Sequence, residues 1–112
     1  MLKGSDGLFY SSGILPEIKN DQMASVEFSD QMKEIFWKIK TELEKNGLTF
    51  TNLLRVKIML EDMYLYSEMN EIYSEFFKEI EVMPVRECKS YSGLPFEARI
   101  EVSFIADPGK NK

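Results

Sequence analysis

The sequence predicts an α+β fold in which a mixed β-sheet carries two helices on one face. Apolar residues alternate along residues 52–60 and 98–105, as they do in half-buried strands. Between the predicted strands lie two longer segments whose apolar residues recur at spacings of three and four, as on one face of a helix. Helical connections between strands form crossovers, and these are right-handed. We therefore expect both helices on one side of the sheet. The other side then needs solvent or a neighbouring subunit to cover it.

The composition fits one domain without a membrane anchor. The 112 residues leave room for a single domain, 1–112, whose polar end, 107–112, we expect to be mobile. Hydrophobic residues make up 44% of the chain, which is enough for a packed core. A signal peptide and an apolar run of the ~18 residues that a membrane span needs are both missing from the sequence. A cytoplasmic protein is therefore expected.

Two segments carry the apolar stripe of an amphipathic helix. The first begins near Ser29 as its N-cap and ends before Gly47, which suits the left-handed cap position. The second covers roughly residues 64–80, and Pro84 ends any helix before the next strand. The core-facing positions are Met32, Ile35, Phe36, Ile39 and Leu43 in the first helix, and Leu65, Met69, Ile72, Tyr73 and Phe76 in the second.

The remaining periodic segments are predicted as strands. Residues 7–12 form a short β-prone segment that begins at a glycine, and residues 21–28 allow another short strand. Residues 84–106 contain two strands joined at 93–95, which we expect to be neighbours in the sheet. Within residues 52–60 one face carries Leu54, Val56, Ile58 and Leu60, and the other carries Arg55, Lys57 and Met59.

The chain contains no histidine and one cysteine, Cys88. This composition excludes zinc sites of the usual ligand spacing and catalysis by Ser-His-Asp or Cys-His pairs. Acid–base chemistry must then come from carboxylates, Lys, Tyr, Cys or ordered water, and we expect no metal or cofactor. The net charge of −5 and the lack of a long basic run also disfavour a nucleic-acid partner.

The stretch PVRECKSYSGLPFEARIEVSFIA, residues 84–106, places charges inside predicted strands. Arg86 and Cys88 share one face of the first strand, and Glu101 lies among apolar neighbours in the second. A charge that is withdrawn from water needs a partner. Arg86 therefore either forms a structural salt bridge with Glu101 or Glu87, or binds a small anion with a carboxylate held beside it.

Three blocks of sequence resemble the Rid/YjgF imine deaminases, also known as the L-PSP endoribonuclease family. SSGILP (11–16) is similar to that family's strand-to-loop element, and RVKIMLEDMYLYSEMNEIYSEFF (55–77) resembles its central strand and second helix. The third block, 84–106, resembles its signature of Pro-x-Arg-x-Cys, a Leu-Pro turn and a strand with one glutamate. The resemblance spans about 7–106. It implies a chorismate-mutase-like fold, a homotrimer around a central β-barrel, and hydrolysis of 2-imino acids to 2-oxo acids and ammonia in clefts between subunits.

The resemblance also implies roles for the two charged residues. Arg86 matches the arginine that binds the substrate carboxylate, for which a guanidinium offers a rigid bidentate fork. Glu101 matches the glutamate that positions the attacking water and handles its proton. A positioned acid–base group of this kind contributes about 10²–10⁴ in rate.

Four further residues match positions that line the family's cleft. Ser12 and Gly13 match the Ser-Gly pair that seats the substrate, Cys88 matches a pocket-lining cysteine, and Asn70 matches an asparagine near the cleft or the subunit boundary. Three of them also have a structural interpretation. Ser12 would simply end a strand, Cys88 would be a small buried hydrophobic residue, and Asn70 would be a solvated helix residue.

One departure from the family concerns the start of the chain. The family has an earlier strand with a Gly-Pro-Tyr element whose tyrosine reaches the cleft, whereas only MLKGSDGLF precedes Tyr10 here. We therefore expect that strand to be missing, and either a more open site or Tyr10 or Tyr91 in the tyrosine's place. Two alternatives to a deaminase stay open, namely a trimer that binds a small carboxylate or a protein without turnover, and an enzyme that cleaves single-stranded RNA.

Overall fold

A five-stranded mixed sheet forms one layer of the computed structural model, which describes residues 1–110. Its strands are Leu2–Lys3 (β1), Phe9–Tyr10 (β2), Leu53–Leu60 (β5), Val85–Ser90 (β6) and Ile100–Ala106 (β7), in the spatial order β1-β2-β7-β5-β6. Only the β5–β6 pair is parallel within this sheet. Ile18–Lys19 (β3) and Gln22–Met23 (β4) form a separate two-stranded hairpin.

Two helices, Phe28–Lys45 (α1) and Tyr66–Phe76 (α2), form the second layer. Their apolar stripes and the alternate residues of β5 and β7 build one continuous core, which confirms the mixed sheet with two helices on one face. None of the helices in residues 1–110 is long and apolar enough to cross a membrane. No layer within residues 1–110 covers the other face of the sheet. We call it the open face; its central part consists of Arg55, Lys57, Met59, Glu87, Lys89, Glu101, Ser103 and Ile105.

An aromatic cluster joins the two helices at one end of the core. Phe36 of α1 stacks on Phe76 at 5.1 Å between ring centroids, and Tyr73 of α2 stacks on Phe77 at 4.4 Å. Phe50, in the turn before β5, lies between them with its ring 5.3 Å from that of Phe77. Offset and edge-on pairs of this kind add about 0.5–1.5 kcal/mol each to the burial of their area. The cluster fixes α2 against α1 and so fixes what α2 presents to the edge of the sheet.

The start of α1 differs from the prediction, whereas its end agrees with it. The helix begins one residue before Ser29, and its N-cap residue Glu27 forms no side-chain cap. Ser25 replaces the expected cap, since its hydroxyl accepts from the Glu27 amide at 3.2 Å and donates to the Asp30 carboxylate at 2.9 Å. Gly47 follows the helix with φ of 72°, as predicted for a left-handed cap.

The first third of the chain contains shorter strands than predicted. The expected strand over 7–12 is reduced to β2, and the expected short strand within 21–28 is reduced to β4. The chain turns at Asn20 and Asp21, both with positive φ, to form the β3–β4 hairpin before it enters α1. The earlier strand that we expected to be missing is present in a short form, because Leu2–Lys3 pairs with β2.

A register shift in β5 corrects the predicted core set. The pairing with β7 slips between Leu53 and Arg55, and this bulge turns Leu53 into the core in place of Leu54. Leu53 is fully buried, whereas Leu54 is 39% exposed. Beyond the bulge the prediction holds, with Val56, Ile58 and Leu60 fully buried.

The two strands within residues 84–106 are not neighbours, contrary to the prediction. Leu60, the last residue of β5, pairs with Ser90 on one side and with Ile100 on the other. The segment between β6 and β7 therefore crosses the end of β5, and β5 separates the two strands. The turn predicted at 93–95 lies slightly later, at Pro95–Glu97, and the nine residues between β6 and β7 form a crossing and not a hairpin.

The polar end of the chain is ordered as far as it is described. The Asp107 amide donates to the Asn52 carbonyl at 2.8 Å, and the Lys110 ammonium donates to the Leu53 carbonyl. The prediction of a mobile tail is therefore wrong for residues 107–110, and residues 111–112 lie outside the described part of the chain.

The bulge predicts a sharp difference between two adjacent leucines. Leu53→Ala should lower the free energy of unfolding by about 2–5 kcal/mol, because it leaves a cavity in a closed core. Leu54→Ala, the matched control, removes the same atoms from a partly exposed position and should lower it much less. Chemical denaturation of both variants at one protein concentration measures the difference, and equal losses would contradict the assigned register.

Candidate active site

Arg86 lies on the helix-covered face of the sheet, in the edge strand β6. It pairs with the buried Val56 in the parallel β5–β6 register, but β6 is the outer strand, so its side chain runs along the rim under α2. There one guanidinium nitrogen, Nη2, donates to the Tyr66 hydroxyl at 3.2 Å, and Nη1 contacts the Met69 sulfur at 3.8 Å. The guanidinium carbon is 4.8 Å from the ring centroid of Tyr73. Three residues of α2 therefore contact the guanidinium. The ring of Tyr73 lies against its flat face, and Met69 and Tyr66 contact its nitrogens.

The salt-bridge interpretation of Arg86 does not hold in this chain. Glu87 pairs with Arg55 and lies 3.4 Å from the Lys89 ammonium, both on the open face. Glu101 is also on the open face, and within residues 1–110 neither it nor Arg86 has an oppositely charged partner. Arg86 thus retains free N–H donors beside an exposed rim, which is the arrangement that a carboxylate ligand requires.

Tyr73 supports Arg86 from inside the core. Its ring is 4% exposed, and its hydroxyl has no hydrogen-bond partner within residues 1–110. Burial raises the pKa of Tyr73 to about 12, against a smaller opposing effect of the Arg86 charge. The phenol therefore stays protonated at physiological pH. Tyr73 serves as an apolar platform for the guanidinium and is unsuited to accept a proton.

Cys88 follows Arg86 on the same face of β6 and is half-buried against the core. Burial raises the pKa of its thiol, while the nearby Arg86 charge acts in the opposite direction. The net effect keeps the sulfur protonated near neutral pH, and a protonated thiol is a poor nucleophile. The pocket-lining role of Cys88 stays a prediction.

Asn70 lies on the same side of α2 as the residues that contact Arg86. It is four residues after Tyr66 and three before Tyr73, which puts it on their face of the helix. Its side chain is half-buried and has no hydrogen bond within residues 1–110. Arg86, Cys88 and Asn70 therefore form one group, which we call the arginine half-site.

Glu101 lies on the open face against the chain segment that follows β2. That segment pairs with β7, because the Ile14 amide donates to the Val102 carbonyl at 2.7 Å and Val102 donates back at 3.1 Å. The pairing brings Gly13 so close that a Cβ there would stand 1.9 Å from Oε2 of Glu101. Only glycine leaves room for this carboxylate. Ser12 is adjacent and exposed, so Ser12, Gly13 and Glu101 form a second group, the glutamate half-site.

The structure places Tyr10 away from Glu101. Tyr10 pairs with Ile105, four residues along β7 from Glu101 and hence about 13 Å away along the strand. Its hydroxyl donates to Asp6 at 2.5 Å, and this bond raises the pKa of Tyr10. Tyr91, the other expected substitute, lies on the open face, with the Lys57 ammonium 5.8 Å from its ring centroid.

The two half-sites cannot meet within one chain. Arg86 is beside Val56 on the helix-covered face, whereas Glu101 is beside Met59 on the open face. The strands that carry them lie on opposite sides of β5, about 10 Å apart across the sheet. Sequence reasoning missed this separation and missed the aromatic support of Arg86. The one sequence signal for the aromatic support was the pair of tyrosines seven residues apart on α2, Tyr66 and Tyr73.

A separate groove belongs to neither half-site. It encloses about 1060 Å³ between the β3–β4 hairpin and the turn before β7. Its arginine, Arg99, is already paired, with Nε 2.7 Å from the Glu61 carboxylate and Nη2 2.6 Å from the Tyr64 hydroxyl. Within residues 1–110 there is also no group of three or more His, Cys, Asp or Glu side chains placed to hold a metal ion.

The protonated state of Cys88 predicts slow alkylation near neutral pH. The rate with iodoacetamide should rise with pH and reach its midpoint above that of the unfolded chain, because burial disfavours the thiolate. Arg86→Ala should move the midpoint higher still, since it removes the cation that opposes the effect of burial. A midpoint below that of the unfolded chain would make Cys88 a candidate nucleophile and contradict this account.

Comparison with known proteins identifies relatives along almost the whole chain. The family model described as Endoribonuclease L-PSP matches residues 2–107. A RutC family protein of Aquifex aeolicus is 34% identical over 79 residues, which are 70% of this chain but only 63% of that protein's length. The human 2-iminobutanoate/2-iminopropanoate deaminase is 29% identical over 105 residues, which are 93% of this chain and 75% of the human protein.

Solved structures agree with the sequence relatives. A Rid-family protein of unknown function from Yersinia pestis is 27% identical and superposes with a TM-score of 0.83, over 91% of this chain and 81% of that one. The two proteins therefore share the fold over most of the length of each. The chain belongs to the endoribonuclease L-PSP family, which includes the RutC and Rid proteins.

Proposed function

We propose that this protein hydrolyses reactive 2-imino acids, or their enamine tautomers, to 2-oxo acids and ammonia, at clefts formed between copies of the chain. The observation that carries the proposal is the separation of Arg86 from Glu101. Each is a charged side chain without an oppositely charged partner within residues 1–110, and each lies at a surface that a second copy can reach. An unpaired charge costs free energy once it loses contact with water. The opposite, unpaired charges of Arg86 and Glu101 therefore favour a site to which two copies of the chain contribute one residue each.

The open face supplies the reason for assembly. It is one side of a five-stranded sheet that no other layer of residues 1–110 covers, and it mixes the half-buried Met59 and Ile105 with charged residues. A homotrimer that closes its open faces into a central barrel would cover this surface, and each boundary would bring the arginine half-site of one copy toward the glutamate half-site of the next. Family membership supports this arrangement.

The two half-sites would divide the reaction between them. The Arg86 fork binds the planar carboxylate next to the imine carbon, with charge-assisted bonds that contribute about 1.5–3 kcal/mol each. Ser12 and the Gly13 backbone seat the substrate beside Glu101. Cys88 and Asn70 line the arginine side of the cleft.

Glu101 would handle the protons of the hydrolysis. Its carboxylate takes a proton from water as the water oxygen bonds to the iminium carbon, which gives a tetrahedral carbinolamine. That proton passes to the nitrogen, the carbon–nitrogen bond breaks, and the hydroxyl proton leaves with ammonia as ammonium. The products are a 2-oxo acid and ammonium, and the carboxylate is restored. The iminium is already electrophilic, so positioning and one proton acceptor account for the catalysis.

The description of the family as an endoribonuclease has less support in this chain. The sequence has no histidine and a net charge of −5. The three lysines that lie over aromatic rings, Lys3, Lys40 and Lys57, are on three different elements and form no continuous stacking platform of the kind that single strands require.

Release of 2-oxo acid from freshly formed imine tests the proposal directly. An amino-acid oxidase supplies the 2-imino acid, and the protein should accelerate the appearance of the 2-oxo acid. Arg86→Ala should abolish both this acceleration and the binding of 2-oxobutanoate. Glu101→Gln should keep binding and lower turnover about 10²-fold or more. Arg99→Ala is the matched control, because that arginine is paired in another groove and its loss should leave the rate unchanged.

The outcomes of this assay separate the candidate functions. A parent protein that binds 2-oxobutanoate but never accelerates hydrolysis would be a carboxylate-binding member of the family. An unchanged rate in Glu101→Gln would contradict the assigned proton acceptor.

A shared site also predicts complementation between two inactive variants. When Arg86→Ala and Glu101→Gln chains are unfolded together and refolded, some boundaries receive Arg86 from one variant and Glu101 from the other. Random assembly of an equal mixture makes about a quarter of the sites complete, so about a quarter of the parent activity should return. The two variants refolded separately and then combined are the control. No recovery in the joint sample would show that one chain supplies both residues.

A further inference from the structure

We infer that the Tyr66 hydroxyl is a third donor for the substrate carboxylate, beside the two N–H groups of the Arg86 fork. The inference rests on the proposed carboxylate site and adds a residue that determines its selectivity. It begins from the 3.2 Å contact in which Nη2 of Arg86 donates to the Tyr66 oxygen.

That contact leaves the phenol hydrogen unused. A phenol has one hydrogen to donate in addition to its acceptor lone pairs, and an arginine can only donate. Tyr66 must therefore be the acceptor in its bond with Arg86, so its own O–H points elsewhere. Within residues 1–110 this hydrogen meets no acceptor.

The position of Tyr66 suits a ligand better than it suits the core. Its side chain is 37% exposed, in contrast to Tyr73 at 4%, although both rings face the same guanidinium. Tyr73 holds the face of the arginine, while Tyr66 holds one nitrogen at the rim, where an incoming anion would approach. A carboxylate oxygen that accepts from Arg86 at this rim would lie within reach of the Tyr66 hydrogen as well.

Three donors on one anion define what the site selects. A carboxylate offers about four lone-pair directions on two oxygens, so it can accept from both N–H groups and from the phenol together. A neutral amide of the same shape would turn its NH₂ group toward at least one of these donors and leave that donor unpaired. The cluster of Tyr66 and Arg86 therefore favours 2-oxo and 2-imino acids over their amides more strongly than an arginine alone would.

Tyr66→Phe tests the role of the hydroxyl with the ring retained. The dissociation constant for 2-oxobutanoate, measured by calorimetry, should rise about tenfold or more, as expected for the loss of a hydrogen bond to a charged group. The preference over 2-oxobutanamide should fall, and the turnover of imine at saturation should change little. Tyr64→Phe is the matched control, since it removes the same kind of tyrosine-to-arginine bond at Arg99, and its dissociation constant should equal that of the parent.

The results distinguish this inference from the proposed hydrolysis. Weaker binding in Tyr66→Phe alone, with no imine turnover by any variant, would support the third donor and overturn the deaminase. Normal turnover with unchanged binding in Tyr66→Phe would overturn the third donor and leave the deaminase intact. Equal weakening in Tyr66→Phe and Tyr64→Phe, or no binding of 2-oxobutanoate by the parent protein, would also overturn it.

Discussion

Strand β5 is the constraint on which the arrangement of this protein depends. Both of its edges are paired, in parallel with β6 and antiparallel with β7, and its alternate side chains form the centre of the core. These two registers decide which face each neighbouring residue occupies. Arg86 is level with Val56 and shares its face, whereas Glu101 is level with Met59 and shares the other. The separation of the two charged residues is thus a consequence of pairing on one central strand.

Local patterns in the sequence predicted the elements well but could not predict their registers. The helix stripes centred on Phe36 and Met69 were correct, because a spacing of three and four is a property of the helix itself. The errors occurred where long-range pairing decides. The bulge exchanged Leu53 for Leu54, and the crossing over β5 separated strands that are close in sequence. The same limit applies to the candidate site, since Arg86 and Glu101 were proposed from sequence and only the registers show that they face apart.

The ring of Tyr73 contacts both the core and the candidate site. Its ring stacks on Phe77 and meets Phe36 edge-on at 6.0 Å between centroids, so it is locked by both helices. The same ring carries the Arg86 guanidinium on its face. An arginine at a sheet edge would otherwise sample many rotamers, and ordering it on a rigid ring lowers the entropy that ligand binding must overcome. The unsatisfied hydroxyl of Tyr73 is a local loss of stability that accompanies this support.

Gly13 shows how the glutamate half-site depends on backbone pairing in the same way. The segment after β2 is fixed by two hydrogen bonds between Ile14 and Val102, and this register sets the Gly13 backbone against the Glu101 carboxylate. The atoms nearest to a side chain at position 13 would belong to the Glu101 side chain, so a substitution there would displace the carboxylate. The close approach at position 13 is thus to the carboxylate of Glu101, a candidate functional group. One half-site therefore rests on a ring fixed by the helices and the other on a backbone fixed by β7. In the proposed assembly, the two half-sites would come together as preformed surfaces of two copies of the chain.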